Sequence, residues 1–493
     1  MTLSSIPLVM VGGFLLLTLV VGLCASSQAT TFRAYAVDNK RYSTALLTIT
    51  LLATSIGGVS LLTNVIRVYH HGLHWMIHML FAPIELWVIN RVALRTGPLM
   101  EDLSIADTIG KVYGKCPRII TALSSIFYCL FIVTIQIDAL SLALTMCIDA
   151  VDSRLVTILA TLTLVAYATF GGIRAITITD VLQFITFTVI IFMLAKLMFS
   201  KTGKSILEIA SFLHKQEKFQ LSGSDHLQPW NLFLLVLHHC AFIFDPILTQ
   251  RIYMSSSPIQ AKKVFLYASF LQIPIFIAIM LIGLFFFVNH PGLALSETKI
   301  WTYIMTHLPP AFKGCIAISI LGMAMSTADS SLHVCSVLVG HDMMESIRGI
   351  TGPTACAHQI RLAKLTSIVT SLLAMIIVFY AHNLLELLIS SMELYESIVI
   401  APLILAILGF RGSARTALIG MATGALTILA WNKWVIPSIN IEGDFFCIVA
   451  NGLAMMAAHY LLRQPANKGW TGLDHRHKRM QQLIQAFKKY KKD

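Results

Sequence analysis

The chain has 493 residues, of which 56% are hydrophobic and only 12% are charged. Soluble globular domains carry about 45–50% apolar and about 25% charged residues, so this composition excludes a soluble globular fold. The net charge of +12 does not indicate a nucleic-acid partner, because most of the basic residues lie between apolar runs, where they set orientation in a bilayer.

Apolar runs of about twenty residues recur along the chain, and each is long enough to cross a hydrocarbon core of about 30 Å as a helix. We therefore predict an all-α polytopic membrane protein with about thirteen transmembrane helices. The predicted spans lie at about residues 6–24, 43–69, 73–95, 119–149, 154–170, 174–199, 230–251, 262–289, 312–345, 359–381, 384–410, 413–435 and 443–462.

An odd number of spans places the two termini on opposite sides of the membrane. With the N-terminus outside, roughly 26 of the 36 basic residues fall on the inner side, as the positive-inside rule requires. We expect a multi-pass protein of the cell membrane, with one transporter domain over residues 1–463 and a basic cytoplasmic tail over residues 464–493. The tail pattern suits an amphipathic helix on anionic lipid; a solvated, frayed tail is the alternative.

The second and seventh predicted spans are interrupted. Ala53–Ser60 places two glycines and three hydroxyl groups in mid-membrane, and Pro246 follows Asp245 within the seventh span. Interrupted helices in corresponding positions are typical of transporters built from inverted repeats, where they mark the binding site. The spacing predicts repeats over about residues 43–199 and 230–410. Ordinary proline and glycine kinks of transmembrane helices are the alternative.

Acidic side chains within the spans outnumber basic ones. Arg67 is the only basic residue that we place as deep as the acids. Because a desolvated carboxylate must bind a cation or take up a proton, this excess indicates a cation route. The acids are Glu85, Asp138, Asp180, Asp245, Asp329, Glu393 and Glu396.

The ninth span carries a hydroxyl-rich stretch over residues 322–331. On a helix, Ser326 and Ser330 lie on one strip, as do Met323 and Thr327. Their oxygen atoms suit an alkali cation, and the carbonyls of a broken second span could complete the shell. Packing between helices through small hydroxyl side chains is the alternative.

Several motifs, in their order and spacing, make this chain similar to the sodium/solute symporter family, over about residues 1–460. The motifs are Tyr167-Ala168-Thr169-Phe170-Gly171-Gly172-Ile173-Arg174-Ala175, Thr179-Asp180-Val181-Leu182-Gln183, Ser326-Thr327-Ala328-Asp329-Ser330, Gln250-Arg251 and the Ala53–Gly58 break. The resemblance implies a LeuT-like fold of five-plus-five inverted repeats, with one extra N-terminal and two extra C-terminal helices. It also implies alternating access and Na⁺ as the coupling ion.

Two cation sites are implied by the same resemblance. The main sodium site takes its oxygen atoms from the backbone of Ala53, Ile56 and Met323 and from the hydroxyls of Ser326 and Thr327. A second cation site would hold Asp180, with Asp329 and Ser330 where some members have two serines. A carboxylate at residue 329 would strengthen that cation site or hold a proton.

The substrate pocket is expected beside the two breaks. Its implied lining is Ser55, Ser60, His238, Ala241, Phe242, Asp245 and Tyr395. Ala241 and Phe242 stand where sugar-transporting relatives have an aromatic pair, and Ser55 stands where proline-transporting relatives have an aspartate. No dense tryptophan cage for a quaternary ammonium group occurs near the breaks. A small organic acid or zwitterion is the broadest expectation.

The resulting hypothesis is a sodium-coupled secondary active symporter that imports a small organic solute, such as an amino acid or organic acid. A proton-coupled symporter and a transporter-like solute sensor are the alternatives. We expect neither enzymatic activity nor an obligate protein partner. The cluster His70, His71, His74 and His78 at the outer end of the third span has two interpretations, a metal site or interfacial histidines at the headgroup level.

Overall fold

The structure is a computed structural model. It describes residues 6–26, 30–145, 153–220, 229–241, 244–293, 297–348, 353–381, 383–439, 441–465 and 468–470. The predicted tail helix after residue 470 and Phe242 of the predicted pocket lie outside these ranges.

Helices make up nearly all of the described chain. The first half contains α1 (Ile6–Ala25), α2 (Phe32–Val37), α3 (Thr44–Ser55), α4 (Gly58–His71), α5 (Leu73–Phe81), α6 (Pro83–Ala93), α7 (Ile105–Tyr113), α8 (Lys115–Thr145), α9 (Ser153–Thr202) and α10 (Ile206–His214). The second half contains α11 (Pro229–Ala241), α12 (Pro246–Met254), α13 (Pro258–Asn289), α14 (Glu297–Thr306), α15 (Pro310–Val337), α16 (Met344–Arg348), α17 (Pro353–Tyr380), α18 (Leu384–Leu408), α19 (Ala414–Ala430), α20 (Ile436–Ile439) and α21 (Asp444–Leu461).

The described chain also contains two very short strands. β1 (Phe410–Arg411) pairs antiparallel with β2 (Gly469–Trp470), with Phe410 opposite Trp470. This pair ties the residues after α21 to the end of α18.

Ten of the described helical segments are long and apolar enough to cross a membrane, and the bent pair α3–α4 makes an eleventh. Two shorter apolar helices, Arg154–Ala166 and Trp230–Cys240, fall in the predicted fifth and seventh spans. The prediction of an all-α multi-pass membrane protein is thereby confirmed. The count of thirteen spans stays a prediction.

The second predicted span breaks where the glycine pair lies. α3 ends at Ser55 and α4 begins at Gly58, with a bend of 57° between them. Gly58 allows the start of α4 to approach α15 closely, since a Cβ atom there would lie 2.8 Å from Ala324 Cβ and 2.9 Å from the carbonyl oxygen of Ile320. The break therefore packs directly on α15.

The seventh predicted span breaks at an acid and a proline. Asp245 is the N-cap of α12 and accepts hydrogen bonds from the amides of Ile247 and Leu248. Pro246 occupies the first helical position, where its missing N–H is no loss. The acid after α11 thus supplies the acceptor that a new helix start needs.

A third break divides α9. Gly172 has φ 58° and ψ −171°, a conformation that side chains with a Cβ disfavour. The predicted fifth and sixth spans meet at this glycine.

The middle of the molecule is built around α15. This helix packs against α1, α8, α9 and α17 and also contacts both α3 and α4. All but one of its residues from Gly314 to Val337 are buried. The broken helices consequently lie against a buried central helix, which positions the site described next.

Candidate ion and substrate site

The hydroxyl groups of α15 meet free carbonyl groups at the end of α3. Ser326 Oγ donates to the carbonyl oxygen of Ala53 over 2.7 Å, and Thr327 Oγ1 donates to that of Thr54 over 3.0 Å. Both hydroxyls also lie near the carbonyl oxygen of Met323, at 2.9 Å and 3.1 Å. The last carbonyls of a helix lack an amide partner four residues on, so the break makes them available.

This junction gathers four of the five residues expected at the main sodium site: Ala53, Met323, Ser326 and Thr327. The fifth, Ile56, is buried at the break and bonds through its amide to Leu52. The donor set consists of hydroxyl and carbonyl oxygen atoms, which is the set that unwound helices offer to Na⁺. The residues of this junction therefore fit the ion.

A buried arginine stands beside the second expected cation site. Arg251 Nη2 lies 2.6 Å from Thr54 Oγ1, 2.9 Å from Ser330 Oγ and 3.3 Å from Asp180 Oδ2, and its side chain is 1% exposed. The expectation that Arg67 is the only deep basic residue is wrong. The reason is the break at Asp245, which places Arg251 on a half-helix that enters the core.

The guanidinium changes the electrostatics expected at this second site. Asp180 is fully buried, and Arg251 supplies a positive charge next to it. Asp329 is also fully buried on α15. A second metal cation is not needed to neutralise Asp180, and the cation site of Asp180, Asp329 and Ser330 stays a prediction.

A cavity of about 360 Å³ lies beside the junction, within the usual range of about 300–1,000 Å³ for ligand pockets. Of the residues expected at the substrate pocket, Ser55, Ser60, Asp245 and Tyr395 line it. The polar lining is Thr54, Ser55, Ser60, Thr63, Asn64, Glu85, Tyr128, Gln136, Asp245, Gln272, Thr327, Tyr395 and Glu396. Thr327 borders both the junction of α3 with α15 and the cavity.

His238 does not line this cavity. Its Nδ1 atom lies 2.8 Å from Glu442 and 3.3 Å from Asp444, because α11 turns this side chain toward α21. The hydrogen bond from His238 holds the pKa of Glu442 below its usual range. The expected role of His238 in the pocket is therefore replaced by an ion pair between α11 and the start of α21.

Three further residues singled out in the sequence lie outside the cavity lining or are not described there. Ala241 ends α11, and its side chain is not described. Asp138, one of the acids placed within the spans, lies exposed on the surface of α8 and outside the cavity lining. His78 stacks on Trp75 with ring centroids 4.6 Å apart and contacts the ring of His239 at 4.8 Å. Both interpretations of the histidine cluster stay predictions.

Two site residues carried no clear signal in the sequence. Thr54 supplies both a carbonyl to Thr327 and a hydroxyl to Arg251. Gln136 Oε1 accepts the amide hydrogen of Gly58 over 3.0 Å and so supports the exposed start of α4. For Gln136, the available signal was its position as a lone glutamine in the apolar run of α8.

Comparison with known proteins gives the family. The model of the sodium:solute symporter family matches residues 35–424. A sodium/proline symporter 2 of Staphylococcus saprophyticus is 25% identical over 206 residues, which are 40% of either chain. A sodium/proline symporter of Staphylococcus aureus is 24% identical over 301 residues, 58% of this chain and 57% of the relative. The matches thus span about half the length of these relatives.

The fold has a solved counterpart. A Na⁺-coupled sialic acid symporter, solved in a substrate-bound outward-open state, superimposes with a TM-score of 0.81 at 19% identity, over 95% of this chain and 99% of that chain. At this identity the likeness shows the fold, and the family match shows the relationship. The chain belongs to the sodium:solute symporter family, in which Na⁺ is the coupling ion.

Proposed function

We propose that this protein is a sodium-coupled symporter that imports a small organic solute by alternating access. The observation that carries the proposal is the junction between the broken helix α3–α4 and α15. There Ser326 and Thr327 contact carbonyl groups that exist as free acceptors only because α3 ends at Ser55.

Na⁺ would bind at the oxygen atoms of Ala53, Ile56, Met323, Ser326 and Thr327. Each hydroxyl now donates its hydrogen to a carbonyl group. With the ion present, hydroxyl and carbonyl oxygens would both face the cation, so the hydroxyl hydrogens would turn away. Ion binding would thereby replace direct hydrogen bonds between α3 and α15 with a link through the ion. Because Thr54, Ser55 and Thr327 line the adjacent cavity, the ion would order one wall of the solute site.

The driving force suffices for concentrative uptake. One charge crossing a potential of about 100 mV contributes roughly 2.3 kcal/mol, and a tenfold ion gradient adds about 1.4 kcal/mol. One Na⁺ per solute would sustain a gradient of several hundredfold for a neutral solute.

We also propose the number of spans, the orientation of the termini and the inverted repeats. Thirteen spans would place the N-terminus outside and the basic tail inside the cell membrane. Breaks in the second and seventh spans support inverted repeats over about residues 43–199 and 230–410. The protein would transport its solute without converting it. Its partners would be the small-molecule solute and membrane lipid.

Uptake into proteoliposomes tests the function. Amino acids, monocarboxylates, sialic acid, sugars, vitamins and amines would be presented with an inward Na⁺ gradient, with an equal K⁺ gradient, and with a pH gradient alone. We expect at least one solute to accumulate with Na⁺ but not with K⁺. Accumulation driven by the pH gradient alone would favour proton coupling, and solute binding without flux would favour a sensor. Either result would contradict the proposal.

A further inference from the structure

We propose that the cavity binds its solute as a cation, a protonated amine, with the carboxylates of Glu396 and Glu85 as its ligands. This inference rests on the proposed function, since it names the solute class for the same cavity. It differs from the broad expectation of an organic acid or zwitterion.

The titratable side chains that line the cavity are all acidic or tyrosine. Three carboxylic acids line the cavity: Glu85, Asp245 and Glu396. Among the described lining residues there is no lysine, arginine or histidine. An anionic group of a solute would therefore meet like charges, whereas a cation would meet charges of opposite sign.

The three acids are not equivalent. Asp245 caps α12 through the amides of Ile247 and Leu248 and also accepts a hydrogen bond from Tyr128. Its oxygen atoms are thus used by the protein itself. Asp245 is a positioning residue that fixes the start of α12 next to the cavity.

Glu396 differs from Asp245 in its hydrogen bonds. Glu396 is 4% exposed, and its Oε2 atom has no hydrogen-bond partner in the described parts of the chain. A buried carboxylate oxygen without a donor is costly. Because Glu396 also lines the cavity, we infer that a cationic ligand there compensates its charge. Glu85 lines the same cavity from α6, and the two glutamates act on each other electrostatically.

Nearby basic groups are already engaged. His238 acts on Glu85 and Glu396 from a distance, but its imidazole pairs with Glu442 and Asp444. Arg251 is held by Asp180, Thr54 and Ser330. The described residues therefore leave the two glutamates to a cation that comes from outside the chain.

The remaining lining suits an amine with an apolar stem. Tyr128 and Tyr395 stack with ring centroids 5.5 Å apart and an interplanar angle of 21°, and aromatic rings attract cations. Leu86, Leu388 and Met392 supply apolar surface. A primary or secondary ammonium group can donate hydrogen bonds to carboxylates, which a quaternary group cannot.

The test is ligand binding to the purified full chain, in Na⁺ buffer and in K⁺ buffer. The probes are 1,4-diaminobutane and butylamine as cations, butanol as a neutral analogue, butyrate as an anion, choline as a quaternary cation and proline as a zwitterion. Stabilisation against heat grows with ligand concentration when a ligand binds the folded state. We expect the two amines to bind at least tenfold more tightly than the other four probes.

Glu396→Gln and Glu85→Gln remove the charge while keeping the shape, and each is expected to weaken amine binding at least tenfold. Glu386→Gln is the matched control, because Glu386 is an exposed glutamate on the same helix, α18, and its removal should leave binding unchanged. Equal or tighter binding of butyrate, butanol, choline or proline to the native protein would overturn the inference, and so would unchanged amine binding in both glutamine variants. The comparison of probes on the native protein needs no variant to fold.

Failure of this inference is distinguishable from failure of the proposed function. If Na⁺ stabilises the protein but no amine does, the sodium site stands and the solute class is wrong. If amines bind and Na⁺ has no effect, the solute class stands and sodium coupling is wrong.

Discussion

Two acidic clusters in this molecule differ in how their charges are compensated. The first, which we call the α7 cluster, comprises Asp102, Asp107, Lys111, Arg118, His341, Asp342 and Glu345. The second is the set of three acids in the cavity wall, Glu85, Asp245 and Glu396.

In the α7 cluster each acid faces a base of the same chain. Arg118 Nε lies 2.8 Å from Asp342, and its Nη2 lies 2.9 Å from Glu345. Lys111 Nζ lies 2.5 Å from Asp102 and 3.0 Å from Asp107. This cluster joins α7 and the start of α8 to the residues that follow α15.

The effect of these pairs is visible at Asp107. Burial acts to raise the pKa of its carboxyl group, but hydrogen bonds and positive charge from His341 and Lys111 outweigh burial and lower the pKa. Asp107, His341 and Asp342 bring ligand atoms within 4.8 Å of one another. Because Arg118 and Lys111 already compensate these acids, the α7 cluster is a structural ion-pair network.

Pairing with a base distinguishes acids that stabilise the fold from acids that are available to a ligand. Charges within the membrane are costly unless they are paired or face a cavity. Paired acids hold helices together, and removing one partner exposes the cost of the other. Acids that line a cavity without a base are available to a solute or an ion.

Removing the charge of Arg118 should have the largest effect on the free energy of unfolding. Arg118→Gln leaves Asp342, which is fully buried, without its cation, and we expect the free energy of unfolding to fall by about 3–5 kcal/mol. A denaturant titration of the purified protein measures it. Arg361→Gln on the exposed face of α17 is the control and should change stability by less than about 0.5 kcal/mol. A loss for Arg118→Gln no larger than in this control would contradict the structural role.

Removing the charge of Glu396 should have a smaller effect on stability, of opposite sign. Glu396→Gln removes a buried charge that has no basic partner among the described residues, so the free energy of unfolding should stay unchanged or rise by up to about 1 kcal/mol. The same titration, without solute, measures it. A loss as large as that of Arg118→Gln would show that Glu396 is paired and structural.

The sequence could predict the breaks and the contact of Ser326 and Thr327 with the end of α3, because both depend on local chemistry. Gly57 and Gly58 interrupt one helix, and Asp245 with Pro246 starts another. Ser326 and Thr327 share one α15 turn, so their placement follows once α3 is known to end nearby. Spans and breaks are local properties that composition and helix-breaking residues reveal.

The directions of side chains beyond the breaks could not be predicted. Arg251 reaches Asp180 only because α12 restarts at Pro246 and enters the core. His238 faces α21 rather than the cavity, and Asp138 faces outward on α8. Each of these depends on how a helix is rotated against its neighbours, which one sequence does not specify.

The most direct test of the proposed sodium site is the Na⁺-dependent stabilisation of the purified protein, compared with K⁺ at equal ionic strength. The test variant is Ser326→Ala/Thr327→Ala. The matched control is Ser371→Ala/Thr366→Ala, whose hydroxyls bond within α17 to the carbonyls of Ser367 and Leu362. We predict that Na⁺ raises the unfolding temperature of the native and control proteins in a concentration-dependent way, and that the test variant needs at least tenfold more Na⁺. Equal responses to Na⁺ and K⁺, or an unchanged Na⁺ response in the test variant, would contradict the proposed sodium site.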